Sequence, residues 1–159
     1  VGGLVVGCIG FVVLLNLLNR QKLLTRDRLD AARLRWKRAD IRDYDLSVTV
    51  RNNETMRYEL QVRKGNIAHA TLNDRPLEPR KAQFWTIDGL LDDIFERELA
   101  AESRPGMPPC YSLVDFDPET GQPVRFLRHG DGQTTVVELR LVRTTAAPRQ
   151  PQESGSTQP

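Results

Sequence analysis

Charge is distributed along this chain in a way that its averages conceal. Residues 1–18 hold thirteen apolar side chains, four glycines, one asparagine and no charge, whereas the 141 residues that follow carry all 44 charges. As a helix that first stretch would be about 27 Å long, close to the roughly 30 Å of a bilayer's hydrocarbon core. The sequence therefore predicts one transmembrane helix over residues 1–19 in a single-pass protein. Two other readings compete. A cleaved signal peptide would need a shorter apolar run followed by a small-x-small site, and none follows. Val5-Val6-Gly7-Cys8 loosely resembles a lipobox, but the run stays apolar beyond Cys8.

The net charge of +2 is composite. Residues 20–43 carry nine Lys/Arg against four Asp, a net +5, and residues 44–159 carry a net −3. The basic excess lies beside the expected span, so Arg20, Lys22, Arg26 and Arg28 are candidate contacts for lipid headgroups. It also argues against a nucleic-acid partner, which would require a basic stripe on the folded part. Taken literally, the positive-inside rule puts the domain in the cytoplasm, unless further positive charge precedes Val1.

Residues 20–40 read as a basic juxtamembrane helix whose Leu29, Ala32 and Trp36 form an apolar stripe. Residues 44–51 and 56–63 alternate apolar and polar, separated by Asn52-Asn53-Glu54, and Lys64-Gly65-Asn66 turns into a weaker third strand over 67–72. Thr86 is a helix N-cap with Asp88 in the first turn. Ile87, Leu90, Leu91, Ile94, Phe95 and Leu99 follow at helical spacing, with Asp92, Asp93 and Glu96 on the opposite, solvated face. Strands over 110–116, 122–128 and 134–143 complete the pattern, and residues 144–159 read as a disordered tail. The expected fold class is α+β: a transmembrane helix, then over 41–143 a small two-layer domain ordered helix, three antiparallel strands, helix, three antiparallel strands.

Three motifs in order resemble one bacterial family of small exported or membrane-anchored domains, domain of unknown function 6174, over about residues 29–129. Arg33-x-x-Trp36 followed by Asp43-Tyr44 is similar to its beginning. Phe84-Trp85-Thr86-Ile87-Asp88-Gly89-Leu90 is similar to its Thr-Val-Asp-Gly-Leu-Phe segment, and Phe116-Asp117-Pro118-Glu119-Thr120-Gly121-Gln122-Pro123 to its Tyr-Asp-Pro-x-x-Gly-x-Pro turn. The resemblance implies an extracytoplasmic domain on the cytoplasmic membrane. It implies no activity, because no catalytic residue is established for that family. Many members carry a cysteine pair after the first strand, where this chain has residues 52–55 and no cysteine.

Candidate chemistry is sparse. Asp115, Asp117 and Glu119 could suggest a cation loop, but Asp-Pro-Glu-Thr-Gly is sufficient as a β-turn. Cys110, His69 and His129 sit in no motif, and an enzyme would need Cys110, one of the histidines and a carboxylate to converge in one pocket at hydrogen-bond reach. No metal or cofactor is expected. The sequence thus points to a non-catalytic binding or assembly module presenting Arg51, Arg57, Glu59 and Arg63 on the wet sheet face to an envelope protein or peptide. The alternatives are an enzyme built near Cys110 or a histidine, and a cytoplasm-facing membrane-surface module.

Overall fold

A computed structural model of the chain describes residues 22–102, 110–130 and 132–144. Strand alternation decides most of the architecture. In β2 (Tyr44–Arg51) the residues Tyr44, Leu46, Val48 and Val50 are buried, and in β3 (Thr55–Arg63) Tyr58, Leu60 and Val62 are. The strands β1 (Lys22–Leu23), β4 (Asn66–Leu72), β5 (Arg75–Pro76), β6 (Tyr111–Phe116), β7 (Pro123–Gly130) and β8 (Gln133–Arg143) complete one antiparallel sheet. Its order is β1-β6-β7-β8-β2-β3-β4-β5. β2 pairs with β8 along its whole length, from Tyr44↔Arg143 to Arg51↔Val136. That register sets Leu46, Val48 and Val50 opposite Leu141, Leu139 and Val137, so the two groups of strands share one apolar face.

Helices cover that face. Helix α1 (Arg26–Ala39) is capped by Thr25, whose side chain accepts the Arg28 N–H at 3.4 Å, and it buries Leu29, Ala32 and Trp36. Asp27 in its first turn and Lys37 and Arg38 in its last complement the helix dipole. A short helix α2 (Pro79–Ala82) and a 3₁₀ turn (Gln83–Trp85) lead into α3 (Ile87–Gly89), a π-helical stretch (Leu90–Ile94) and α4 (Phe95–Glu102). Phe95 meets Phe116 and Phe126 edge-on, with ring centroids 5.8 and 5.2 Å apart.

The π-helical stretch has an identifiable partner. The Phe95 N–H reaches Leu90 O rather than Leu91 O, and the Leu91 carbonyl accepts from Arg33 Nη2 at 2.6 Å. The same guanidinium binds Glu96 at 2.6 Å and Asp92 at 2.9 Å, and Glu96 also pairs with Arg26. Arg26, and then Arg33, hold the Glu96 carboxyl below its ordinary value of 4.5. A depressed carboxyl contributes stability above its unfolded pKa and loses it as the pH falls through its folded pKa. Urea midpoints should therefore fall more steeply below about pH 4.5 in the parent chain than in Glu96→Gln, with the two curves converging in acid.

Several expectations are corrected here. The expected transmembrane helix falls on residues outside the described ones. Among the described residues no helix is long and apolar enough to cross a membrane. The longest, α1, has 14 residues, about 21 Å of rise, and is rich in arginine. Among the described residues the plan of a membrane span followed by two three-stranded sets gives way to a single eight-stranded sheet, with no helix that supports a single-pass chain. The sheet's two extra strands are two-residue edges, too short to show any periodicity. Residues 22–23 are strand, not helix, because Leu23 pairs with Leu113 before Thr25 starts the helix. The weaker third strand is β4, and its burial skips from Ile67 to Ala70 because a bulge interrupts its register with β3. The helix over 87–102 is not regular, and its polar face is not simply solvated. Asp92 and Glu96 hold Arg33, and Glu98 holds Arg128 at 2.9 Å. Of the expected tail over 144–159, Thr144 is described and donates its N–H to Asp43 O at 3.2 Å, and residues 145–159 lie outside the described residues.

Candidate functional site

At the end of the sheet where β2 begins, three segments leave a trough between them. Helix α1 ends at Asp40, in a left-handed conformation with φ 44°, and the chain returns through residues 41–43 into β2. The β3–β4 turn is fastened to that return. Asp43 Oδ1 accepts the Lys64 N–H at 3.1 Å, and Arg42 O accepts the Gly65 N–H at 2.9 Å. The start of the 87–102 helical run forms the third wall. Thr86 caps it by accepting the Gly89 N–H at 3.0 Å while donating to Gln83 O at 2.7 Å.

Trp36 ties these walls together. Its indole Nε1–H donates to Asp88 Oδ1 at 3.0 Å, and its ring meets Tyr44 edge-on with centroids 5.9 Å apart. One oxygen of Asp88 is thus fixed by the fold, on a residue that is itself exposed. The trough has two halves, cavities of about 330 and 380 Å³, both lined by Tyr44, Gly65 and Asp88. Lys37 and Lys64 stand over the first half and Arg80 over the second. All three cations are exposed. Arg42, on the same rim, is paired with Asp40 at 2.8 Å. No ion pair engages Lys37, Lys64 or Arg80 among the described residues.

Tyr44 forms the floor and is 1% exposed. Its hydroxyl lies beside the Ile87 amide but makes no hydrogen bond of acceptable geometry. Burial pushes the phenol up to about 12, the nearby Asp88 charge adds to this, and the Ile87 amide opposes it. A buried hydroxyl without a partner is a liability that removing it relieves. Tyr44→Phe should leave thermal stability unchanged or raise it by up to about 1 kcal/mol. A loss of about 1 kcal/mol or more on chemical unfolding would show that the hydroxyl is hydrogen-bonded after all.

The residues marked by sequence divide into distinct places. Trp36, Asp43, Tyr44, Thr86 and Asp88 converge on the trough. Arg33 and Leu90 belong to the π-helical contact, with Leu90 buried. Asp117, Gly121 and Pro123 build the turn before β7. There Asp117 Oδ1 accepts from the Glu119 and Thr120 amides and the Thr120 hydroxyl at 3.1, 2.7 and 2.9 Å. Burial raises the Asp117 carboxyl, but the bonds from Thr120 and Glu119 outweigh it and hold it low. That oxygen is occupied by the turn. Among the described residues no three His, Cys, Asp or Glu side chains are grouped to hold a metal.

The other candidates are dispersed. Lys22 is exposed on β1, and Arg20 lies outside the described residues. Arg28 is tied to Leu23 O and Val114 O at 2.6 and 3.0 Å, and it lies over the Phe116 ring. His69 is on β4 and His129 on β7, four strand positions apart, about 19 Å at the usual spacing. Cys110 packs near Gly130 and Arg128 on the helix-covered side, while His129, one residue along, points to the open face. On that face Arg51 pairs with Glu138 at 3.2 Å, Arg63 with Asp45 at 2.7 Å, and Ser47 donates to Glu59 at 2.8 Å. Of the four residues expected to bind there, Arg57 alone has no such side-chain partner.

Sequence reasoning missed Lys37, Gly65, Lys64 and Arg80. The first belongs to a basic helix, the next two to an ordinary turn, the last to a proline-containing connection. The clasp of the β3–β4 turn onto residues 42–43 brings Lys64 and Gly65 beside Lys37, and helix α2 carries Arg80 to the second half. No family model, curated protein or solved structure matches the chain.

Proposed function

We propose that this chain is a non-catalytic binding module and that it binds through the trough. The observation that carries the reading is a set of three unpaired cations, Lys37, Lys64 and Arg80, over an exposed carboxylate, Asp88, that Trp36 fixes in place. Charges left free around a preformed concavity are available to a partner at little reorganisation cost. The open sheet face is the weaker surface, because its charges already satisfy one another across strands. A setting outside the cytoplasm is part of the proposal and rests on the motif resemblance. A reporter active only outside the cytoplasm, fused after Arg143, should be active. Silence at normal protein levels would remove that part.

The test of binding is selection of a random displayed-peptide library on the full chain, counter-screened on Lys37→Glu/Lys64→Glu. Lys37 lies in the last turn of α1 and Lys64 has φ 53°, so the variant should lose about 1–2 kcal/mol and remain folded, which its unfolding curve checks. Most enriched peptides should lose binding to it. If no peptide is enriched, or if those enriched bind both proteins equally, the trough is not the binding site.

A further inference from the structure

The chemistry of the trough also specifies its occupant, given the reading above that it is a binding site. We infer that the trough takes an extended, acidic peptide segment of a partner protein, with carboxylates on Lys37, Lys64 and Arg80 and main-chain N–H groups toward Asp88. The rim offers positive charge at separated points, two over one half and one over the other. The wall formed by residues 86–89 offers a negative acceptor, Asp88, shared by both halves, one of whose oxygens is already held by Trp36. An occupant must therefore carry negative groups at intervals and hydrogen-bond donors between them. An extended peptide has that alternation built in: side chains on one side recur every second residue, about 6.6 Å apart, with amides between them. A DNA strand brings regular phosphates but no N–H or O–H donors along its backbone to offer Asp88.

Gly65 supplies the passage between the halves. It lines both, has φ +76°, and no atom stands within 4 Å of the position a Cβ would take. A main chain can cross there unobstructed. Asparagine tolerates that backbone conformation better than other side chains, so Gly65→Asn obstructs the crossing at a smaller conformational cost than other substitutions.

The experiment is fluorescence anisotropy of the full chain with a labelled decapeptide of alternating Glu and Gly. The competitors are the matching Lys–Gly decapeptide, a thymidine decanucleotide and inorganic phosphate. Saturable binding is expected that weakens with added salt. The Lys37→Ala/Lys64→Ala/Arg80→Ala variant should bind roughly tenfold or more weakly, and Gly65→Asn should bind more weakly while remaining folded at the assay temperature, with an unfolding temperature lowered by no more than that of Gly132→Ala. The Lys–Gly peptide should not compete, and Asp88→Asn should improve competition by the decanucleotide. The inference is overturned if the triple variant binds as well as the parent, if the acidic peptide does not bind, or if the decanucleotide or phosphate competes as effectively as unlabelled peptide. Library peptides that need the trough but lack acidic residues would overturn this inference alone. The absence of any trough-dependent peptide would overturn the binding reading as well.

Discussion

Gly121→Ala is expected to lose about 2–5 kcal/mol of stability, from two separate costs. The first is conformational. Gly121 has φ +76°, and an L-residue there is less favourable by roughly 1–2 kcal/mol. The second is steric. A Cβ at Gly121 would fall 2.2 Å from the Ala32 carbonyl oxygen of α1 and 3.0 Å from Arg35 Cβ. Neither neighbour is a flexible side-chain tip, so helix or turn must shift, at roughly 1–3 kcal/mol. Gly132 separates the two terms. Its φ is +71° with nothing within 4 Å of a Cβ, so Gly132→Ala should lose only the conformational part, about 1–2 kcal/mol. Urea unfolding of both variants at equal m-value tests this. Equal losses would mean that the turn over 117–121 is not packed on α1.

Phe95→Ala is expected to lose about 3–5 kcal/mol. Phe95 is 0% exposed and touches Phe116 and Phe126 edge-on. Those partners lie on β6 and β7, held in register with each other and, through β7, with β8, so the surroundings cannot collapse into the space. The residue also follows directly on the π-helical stretch that Arg33 satisfies. Because Phe95 and Phe126 share one cavity, Phe95→Ala combined with Phe126→Ala should lose less than the two singles added. Strict additivity in that cycle would contradict the shared aromatic cluster.

The strands were legible in the sequence because one face is wet and one is dry. Tyr44, Leu46, Val48 and Val50 alternate with Asp45, Ser47, Thr49 and Arg51, and the burial follows that alternation. Joining of the two strand groups was not legible, since the β2–β8 ladder connects residues about ninety positions apart and nothing local encodes it. The bulge opposite Gln61 and Val62 erased the period of β4. The acidic face of the 87–102 helical run was misread for a related reason. Helical periodicity places Asp92 and Glu96 away from the apolar stripe, but Arg33 reaches them from another helix.

The trough was not legible as a site, because the sequence pointed to the open sheet face for binding. Trp36, Tyr44, Thr86 and Asp88 stood out as motif residues, and the fold gathers them at one end of the sheet. Lys37, Lys64 and Arg80 carry no motif; they are ordinary surface residues until the chain folds. A carboxylate fixed by an indole and cations without partners are properties of three segments together, beyond the reach of any pattern within one of them.

The central claim is that binding occurs at this trough. The most direct measurement is an amide and indole chemical-shift map of the full chain during titration with the most enriched library peptide. Changes are expected at the Trp36 indole, Gly65, Asn66 and Ile87. Changes gathered at Ser47, Arg57, Glu138 and Arg140, with the Trp36 indole unmoved, would place binding on the open sheet face and contradict it.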